Sequence, residues 1–359
     1  MNDEITLKVR GQLFTNWTAV MLEKSMYQMV GSFGLATTDL YPAEAKKWNI
    51  ALGDECIVEI NNQKVITGYI EDVQIDYDAG THNIQFKGRD KTGDLVDCSY
   101  NEKLKEFQGL SVKKIIEKMC LPFNIDVVVD SSVTSEANSI LPGSFKVNEG
   151  DTVFDLIMAI CHMKAILPVS YGDGKLTLTQ TGIKYKTNDI LVSGKNILKG
   201  SFIQSNKDRF ETYIIKGNDT GADTKSISDF SSAVGAFTDK AITRYRPITI
   251  FAETKCDRSS CLKRAEWEMN KRAGSSRILE YEVQGWTQSN GKLWPLNAMV
   301  QVKDAILGIN ETLLISALFF TVNESGSVTK LKVVHPKAFS TLPTLPAVKG
   351  GFDWMKGRT

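Results

Sequence analysis

The sequence predicts a mainly β protein of the α+β class. Two antiparallel β blocks flank a small inserted α/β module, and a helix precedes the last block. Three observations carry this. Both ends of the 359-residue chain alternate apolar and polar residues with the period of two that a half-buried strand requires. The middle instead spaces apolar residues three and four apart, as one face of a helix does. Strands and turns of the two ends also follow one another in the same order, which suggests an internal duplication. A chain this long exceeds what one hydrophobic core serves, so several domains are expected.

Residues 1–98 form the first β block. Ser32 to Asp39 reads as a strand, and Lys46-Lys47-Trp48-Asn49-Ile50 leads into the turn Ala51-Leu52-Gly53-Asp54. Cys56, Val58 and Ile60 alternate with Ile57 and Glu59 before Asn61-Asn62 turns the chain toward Val65. Val73, Ile75 and Tyr77 then alternate with Gln74 and Asp76, marking a half-buried strand. Asp78-Ala79-Gly80 tolerates the positive φ of a tight reversal, and Ile84 and Phe86 lie on the return strand. A dense polar turn follows, Gly88-Arg89-Asp90-Lys91-Thr92-Gly93-Asp94-Leu95-Val96-Asp97-Cys98. Gly88 permits a sharp exit. Arg89 could grip a phosphate with its planar fork, or tie down a carboxylate such as Asp94 or Asp97. The structural reading is favoured, because a lone Arg in an acid-rich turn pairs locally.

Residues 99–186 form the inserted module. Ser111 is a good N-cap for a helix whose Val112, Ile115, Ile116 and Met119 share a face, and Pro122 ends it. Ile125 to Val129 is a short strand. Asp151 is expected to cap a second helix with Val153, Leu156, Ile157, Ile160 and Cys161 on its apolar side. Asp173-Gly174 turns a hairpin between Val169-Ser170-Tyr171 and Leu176-Thr177-Leu178.

Residues 187–340 form the second β block. Residues 218–242, rich in Gly, Ser, Asp and Thr, are expected to be a long loop. Asp257 or Ser259 should cap a helix over 259–273, with Leu262, Ala265, Met269 and Ala273 buried and Gly274 just past its end. Trp286 and Trp294 bracket a turn at Gly291 and are expected to clamp it. Val300 and Val302, Leu313-Leu314-Ile315, Leu318, Phe320 and Val322, the turn Glu324-Ser325-Gly326, and Leu331 and Val333 repeat the order of the first block. Arg244 and Arg246, on one side of a strand, suit either a protein contact or a solvated surface. The tail, residues 341–359, is stiffened by Pro343 and Pro346 and ends in the apolar cluster Phe352, Trp354 and Met355. That cluster either docks on a partner or is a loose terminus.

Composition excludes several functions. Lys and Arg total 43 against 42 Asp and Glu, a net charge of +1, without the basic stripe of a duplex-DNA binder. The six cysteines are scattered without metal-ligand spacing. Cys56, Cys98, Cys120 and Cys161 sit among apolar residues and read as buried thiols of a reducing compartment. None of the three histidines, His82, His162 and His335, stands at a triad spacing. Nucleotide-binding and zinc-protease motifs are missing. Carboxylate pairs such as Asp54/Glu55, Glu71/Asp72 and Asp94/Asp97 have basic neighbours and read as turn caps rather than glycosidase acids. The polar start Met1-Asn2-Asp3-Glu4 is unlike a signal peptide, so a soluble, cytosolically made protein is expected.

The run from Val65 to Cys98, strand, turn and GRDKTGDLVDC segment in that order, resembles the central baseplate hub of contractile, Mu-like phage tails. The likeness continues through Val147 to Val153, Ser193 to Leu198, Arg209-Phe210, Tyr213 to Gly217, Arg244 to Pro247, Arg264 to Glu268, Gly285-Trp286, Leu293-Trp294 and His335 to Phe339. It spans roughly residues 5 to 340 and resembles the T4-type hub fold. The resemblance implies two tube-like antiparallel β-barrel or sandwich domains, and a structural, non-enzymatic protein of the virion baseplate without cofactor or metal. It further implies a homotrimer that contacts the tail tube protein, the central spike protein and other baseplate proteins. DNA would pass its channel without sequence-specific binding. An alternative of another class is a cell-wall glycan-binding or lytic tail module, because Glu149-Gly150-Asp151-Thr152 is faintly like the start of a LysM repeat. A third is the base piece of a secretion spike or tail-like bacteriocin.

Overall fold

The computed structural model describes residues 4–38, 49–80, 82–141, 144–182, 185–216, 234–251, 258–323 and 326–339. The chain opens with β1 (Ile5–Val9), β2 (Gln12–Phe14), β3 (Ala19–Ser25), β4 (Ser32–Thr38), β5 (Glu55–Ile60), β6 (Gln63–Tyr77) and β7 (His82–Asp90). α1 (Gly93–Asp97) follows β7, and the stretch 99–186 holds β8 (Glu106–Gln108), α2 (Val112–Cys120), β9 (Val127–Val129), α3 (Thr134–Asn138), β10 (Ser144–Lys146), α4 (Val153–Met163), β11 (Leu167–Ser170) and β12 (Leu176–Thr179). There follow β13 (Tyr185–Lys186), β14 (Leu191–Val192), β15 (Lys199–Gln204), β16 (Thr212–Lys216), β17 (Val234–Thr238) and β18 (Pro247–Phe251). The chain closes with α5 (Arg258–Ser275), β19 (Arg277–Gln284), β20 (Ala298–Asp304), β21 (Ile309–Asn323) and β22 (Gly326–Val334).

Strands from both ends join in one 14-stranded sheet, in the order β15-β19-β22-β21-β3-β4-β7-β6-β5-β1-β2, with β20 on β21 carrying β13 and β14. Within it lie two units of the same order, β3-β4-β7-β6-β5 and β15-β19-β22-β21-β20. β6 and β21 are each 15 residues long, and each shifts register at its middle, after Ile70 against β7 and after Ile315 against β22; β6 shifts once more against β5, between Val58 and Glu59. Such a bulge bends a strand so that its halves serve different neighbours. β5 pairs with the first half of β6 and β7 with the second; β20 and β22 divide β21 in the same way. The units are joined where β3 lies antiparallel to the second half of β21, Leu22 opposite Phe320. Among the described strands no closed barrel forms, so of the barrel or sandwich domains that the resemblance implied the closed barrel is not formed, and the strands make an open sheet.

One hydrophobic core spans both units, with Leu22, Leu35, Ile66, Tyr281, Leu318 and Phe320 among its fully buried members. A second core, built on α2 and α4, belongs to the inserted module, whose β9 runs parallel to β12. A third, small core forms where α5 packs on the sheet β17-β16-β18, through Tyr213, Ile215, Cys261 and Ala265.

Several expectations are corrected. Thr152, not Asp151, caps α4, its hydroxyl accepting from Asp155 N–H, while Asp151 accepts from Asn148 N–H one turn earlier. Residues 234–238 of the expected loop 218–242 form β17, and residues 217–233 lie outside the described residues. The last helix is Arg258–Ser275, so Ser259 is inside its first turn, and Asp257 lies outside the described residues. Gly274 lies inside α5 rather than past its end, and its role is close approach: a Cβ there would stand 2.4 Å from the Ala338 nitrogen. Cys98 is exposed, held at the end of α1, whereas Cys56, Cys120 and Cys161 are buried free thiols. Finally, the strand through Val73, Ile75 and Tyr77 is not half-buried: Ile75 is 55% exposed and Tyr77 79%. Its outer edge has no neighbouring strand among the described residues, unlike that of β21.

Candidate functional site

The end of β7 and the turn that follows it form a polar knot around buried Asp90 that fastens the first β unit to the inserted module. Close backbone packing dictates its glycines. A Cβ on Gly88 would stand 2.1 Å from Tyr69 O and 2.6 Å from the Phe33 ring. Arg89 donates from Nε to Glu71 at 2.7 Å and from Nη2 to Asp97 at 2.5 Å. Two carboxylates thus hold its charge and raise its pKa further. Asp97 is held below the usual carboxylate range by that bond, whereas Asp94 is raised, first by desolvation and then by Glu71. Arg89, with both ends of its fork occupied, presents no open phosphate site.

Asp90 is buried and accepts from Gly31 N–H at 2.8 Å and from Ser170 Oγ at 2.9 Å, with the Thr92 hydroxyl against its other oxygen. Burial raises its pKa despite these bonds. Nearby, Lys24 on β3 donates to Tyr171 O, and desolvation pulls its pKa down to about 8 against the opposing field of Asp90. The same hairpin places Gly172 against Val65 O. None of the Asp90 partners lies near it in sequence except Thr92, so only the motif's own residues were visible beforehand.

Arg244 and Arg246 lie in the loop before β18, not on a strand, because Pro247 begins the strand. Arg246 is half-buried, donates to Lys207 O and stacks 5.0 Å from the Phe210 ring centroid. Arg244 is exposed beside Tyr245, which is 88% exposed. The structure does not bring them near the Asp90 knot. Phe352, Trp354 and Met355 lie outside the described residues.

His162 packs at 5.8 Å on Trp267 of α5, and burial, with Lys271 and Arg264 near, lowers its pKa to about 4. His335 is lowered by burial as well. Among the described residues no cluster of His, Cys, Asp and Glu is placed to hold a metal ion. A cleft of about 700 Å³ lies between the two units and the inserted module, lined by Lys24, Lys64, Lys186 and Lys292 with Tyr171 and Trp294. The LysM-like segment Glu149 to Thr152 is simply the turn that starts α4.

Comparison with known proteins bears on all three blocks. Residues 4–90 match the family described as Mu phage baseplate assembly protein GpP-like, N-terminal. Residues 92–180 match the second domain of baseplate hub protein gp44-like proteins, and residues 258–342 the fourth domain of Mu phage baseplate assembly protein GpP. The chain is similar to baseplate hub protein gp44 of Escherichia phage Mu, 30% identical over 345 residues that cover 94% of this chain and 89% of that protein. Among solved structures it resembles the 43 kDa tail protein of prophage MuSo2 from Shewanella oneidensis. That match has a TM-score of 0.83 at 30% identity and covers 95% of this chain and 100% of the other. The tail protein from Neisseria meningitidis MC58 shares the fold, with a TM-score of 0.80 at 20% identity over 95% and 99% of the two chains.

Proposed function

We propose, from the premise that the chain belongs to the baseplate hub family of Mu-like phages, that it is the ring joining a sixfold tail tube to a threefold central spike. It is a component of the phage tail baseplate, in a structural family. The observation that supports the adaptor reading is the pair of equivalent five-stranded units within one chain. Closed as a trimer, three chains offer six similar units to the tube and one threefold face to the spike. In this reading residues 1–98 and 187–340 are the two tube-like domains, and residues 99–186 are an outer module fastened by Asp90. DNA crosses the central channel without sequence-specific contact, in keeping with the balanced charge.

Mass photometry of the purified protein, alone and with its spike, tests the ring. A species of three chains is expected. Only monomers, with the spike present, would refute it.

A further inference from the structure

The two units are used unequally within a single chain. Each has an outer strand, β3 or β15, and a bulged strand, β6 or β21, whose second half can take a neighbour. The chain satisfies one such joint, β3 on β21, and leaves two edges without a neighbouring strand among the described residues. These are the outer edge of β15 and the outer edge of β6 from Asp72 to Tyr77. Open strand edges are templates for pairing. Here one edge corresponds to β3 and the other to the site on which β3 sits.

Each free edge also carries exposed apolar side chains. All six residues of β15 are exposed, among them Phe202 at 38% and Ile203 at 56%, and Ile75 and Tyr77 are exposed on β6. Their counterparts in the satisfied joint, Leu22 and Phe320, are 0% and 1% exposed.

The register follows from the repeat. Lys87 faces Asp72 and Gly34, and Gly34 faces Met21. In the other unit Lys332 faces Ala317 and Glu280, and Glu280 faces Ser201. So Asp72 corresponds to Ala317, and Ser201 to Met21. Because Met21 pairs with Thr321, four residues beyond Ala317, Ser201 falls opposite Asp76.

We propose that β15 of one copy adds antiparallel to the Asp72–Tyr77 half of β6 in the next copy, with Phe202 opposite Ile75 and Gly200 opposite Tyr77. The contact repeats between copies the joint that β3 and β21 make within one. Phe202 and Ile75 then take the places of Leu22 and Phe320, and Ser201 comes within reach of the Asp76 carboxylate. Gly200, which falls opposite Tyr77, is itself covered by the Tyr281 ring, whose Cε1 a Cβ there would meet at 3.2 Å. The contact is heterologous, so it closes into a ring or runs on as a filament. This proposal rests on the ring reading above and gives it a residue-level joint.

Cysteine pairing tests it separately from the ring. In a background with Cys98→Ser and Cys256→Ser, Phe202→Cys with Ile75→Cys should give disulfide-linked dimers and trimers on oxidation, since directly opposed residues have Cα atoms at disulfide distance. Each single variant should give none, and the register-shifted pair Ile203→Cys with Ile75→Cys far fewer. Ile75→Asp, at a site exposed in the isolated chain, should leave circular dichroism and melting unchanged while weakening assembly at least tenfold. A trimer by mass photometry that cross-links only in another register, or not at all, overturns the joint and leaves the ring standing. Monomers under all conditions overturn both.

Discussion

Asp90 shows how one side chain can fasten two structural units. It gathers a backbone N–H from the β3–β4 connection, a hydroxyl from the start of α1 and a hydroxyl from the inserted hairpin. Removing it leaves those donors buried without their acceptor. Asp90→Ala should lower unfolding free energy by about 2–4 kcal/mol in urea titration, the range for breaking a buried hydrogen-bonded network. Ser170→Ala, which removes one bond, should cost about 1 kcal/mol. His162 adds a pH dependence. Its folded pKa of about 4 lies below the unfolded 6.5, so the neutral ring stabilises the fold above pH 6.5 and that contribution is lost as pH falls toward 4. Between pH 6.5 and 4.5 the loss should be about 2 kcal/mol, and His162→Gln should remove that part of the slope. At this scale the sequence was half legible. Gly88, Arg89, Asp90 and Asp97 stood out as a motif, and Asp97 was among the carboxylates offered to Arg89. That Glu71 pairs with Arg89, and Gly31 and Ser170 with Asp90, did not, because they lie 18, 59 and 80 residues from their partners, where no local pattern connects them.

Elements were legible wherever one face alone decides burial. α2 follows its Ser111 cap and apolar spacing, and β5 and β7 follow their alternation and turns, whereas β6 is a strand as expected but its second half does not bury the face that its alternation marks. In the layer of β16, β17 and β18, Tyr213 to Gly217 was marked by the resemblance, whereas β17 was not legible, because it lies in a stretch whose composition reads as loop. Cap residues were displaced by one position at α4 because Asp151 and Thr152 both suit the role and only the chain's path chooses between them. Gly274 was read as a terminator because glycine is the usual one, but here it is a point of close approach. Gly274→Ala gains helix propensity of about 1 kcal/mol, yet its Cβ meets the Ala338 backbone. The clash should prevail by about 1–3 kcal/mol, lowering the melting temperature measured by calorimetry.

For the whole molecule, the duplicated order of strands was readable because turns and apolar alternation survive where residue identity does not. That the two blocks share a single sheet was not readable, since the pairing of β3 with β21 joins residues some three hundred positions apart in a pattern that either strand could satisfy elsewhere. Two expectations belong to the assembled particle. Alanine at His82, His162 and His335 together should leave infectivity near wild type in particles that assemble, as a structural role requires; a large loss in normal-looking particles would reveal chemistry. Deleting residues 348–359, which carry Phe352, Trp354 and Met355, should leave the hub folded and weaken its capture of the spike in a pull-down.

The intramolecular joint between β3 and β21 gives the proposed ring two kinds of seam. Three would be tethered through their own polypeptide and would hold at any dilution. The other three would depend on concentration and on the strength of one short strand. Seams of the two kinds alternate, so the annulus is sixfold in shape but threefold in compliance: under axial load it should yield first at every second seam. A spike of matching symmetry, seated across those three, would act as a clasp, and its departure would free them to open together.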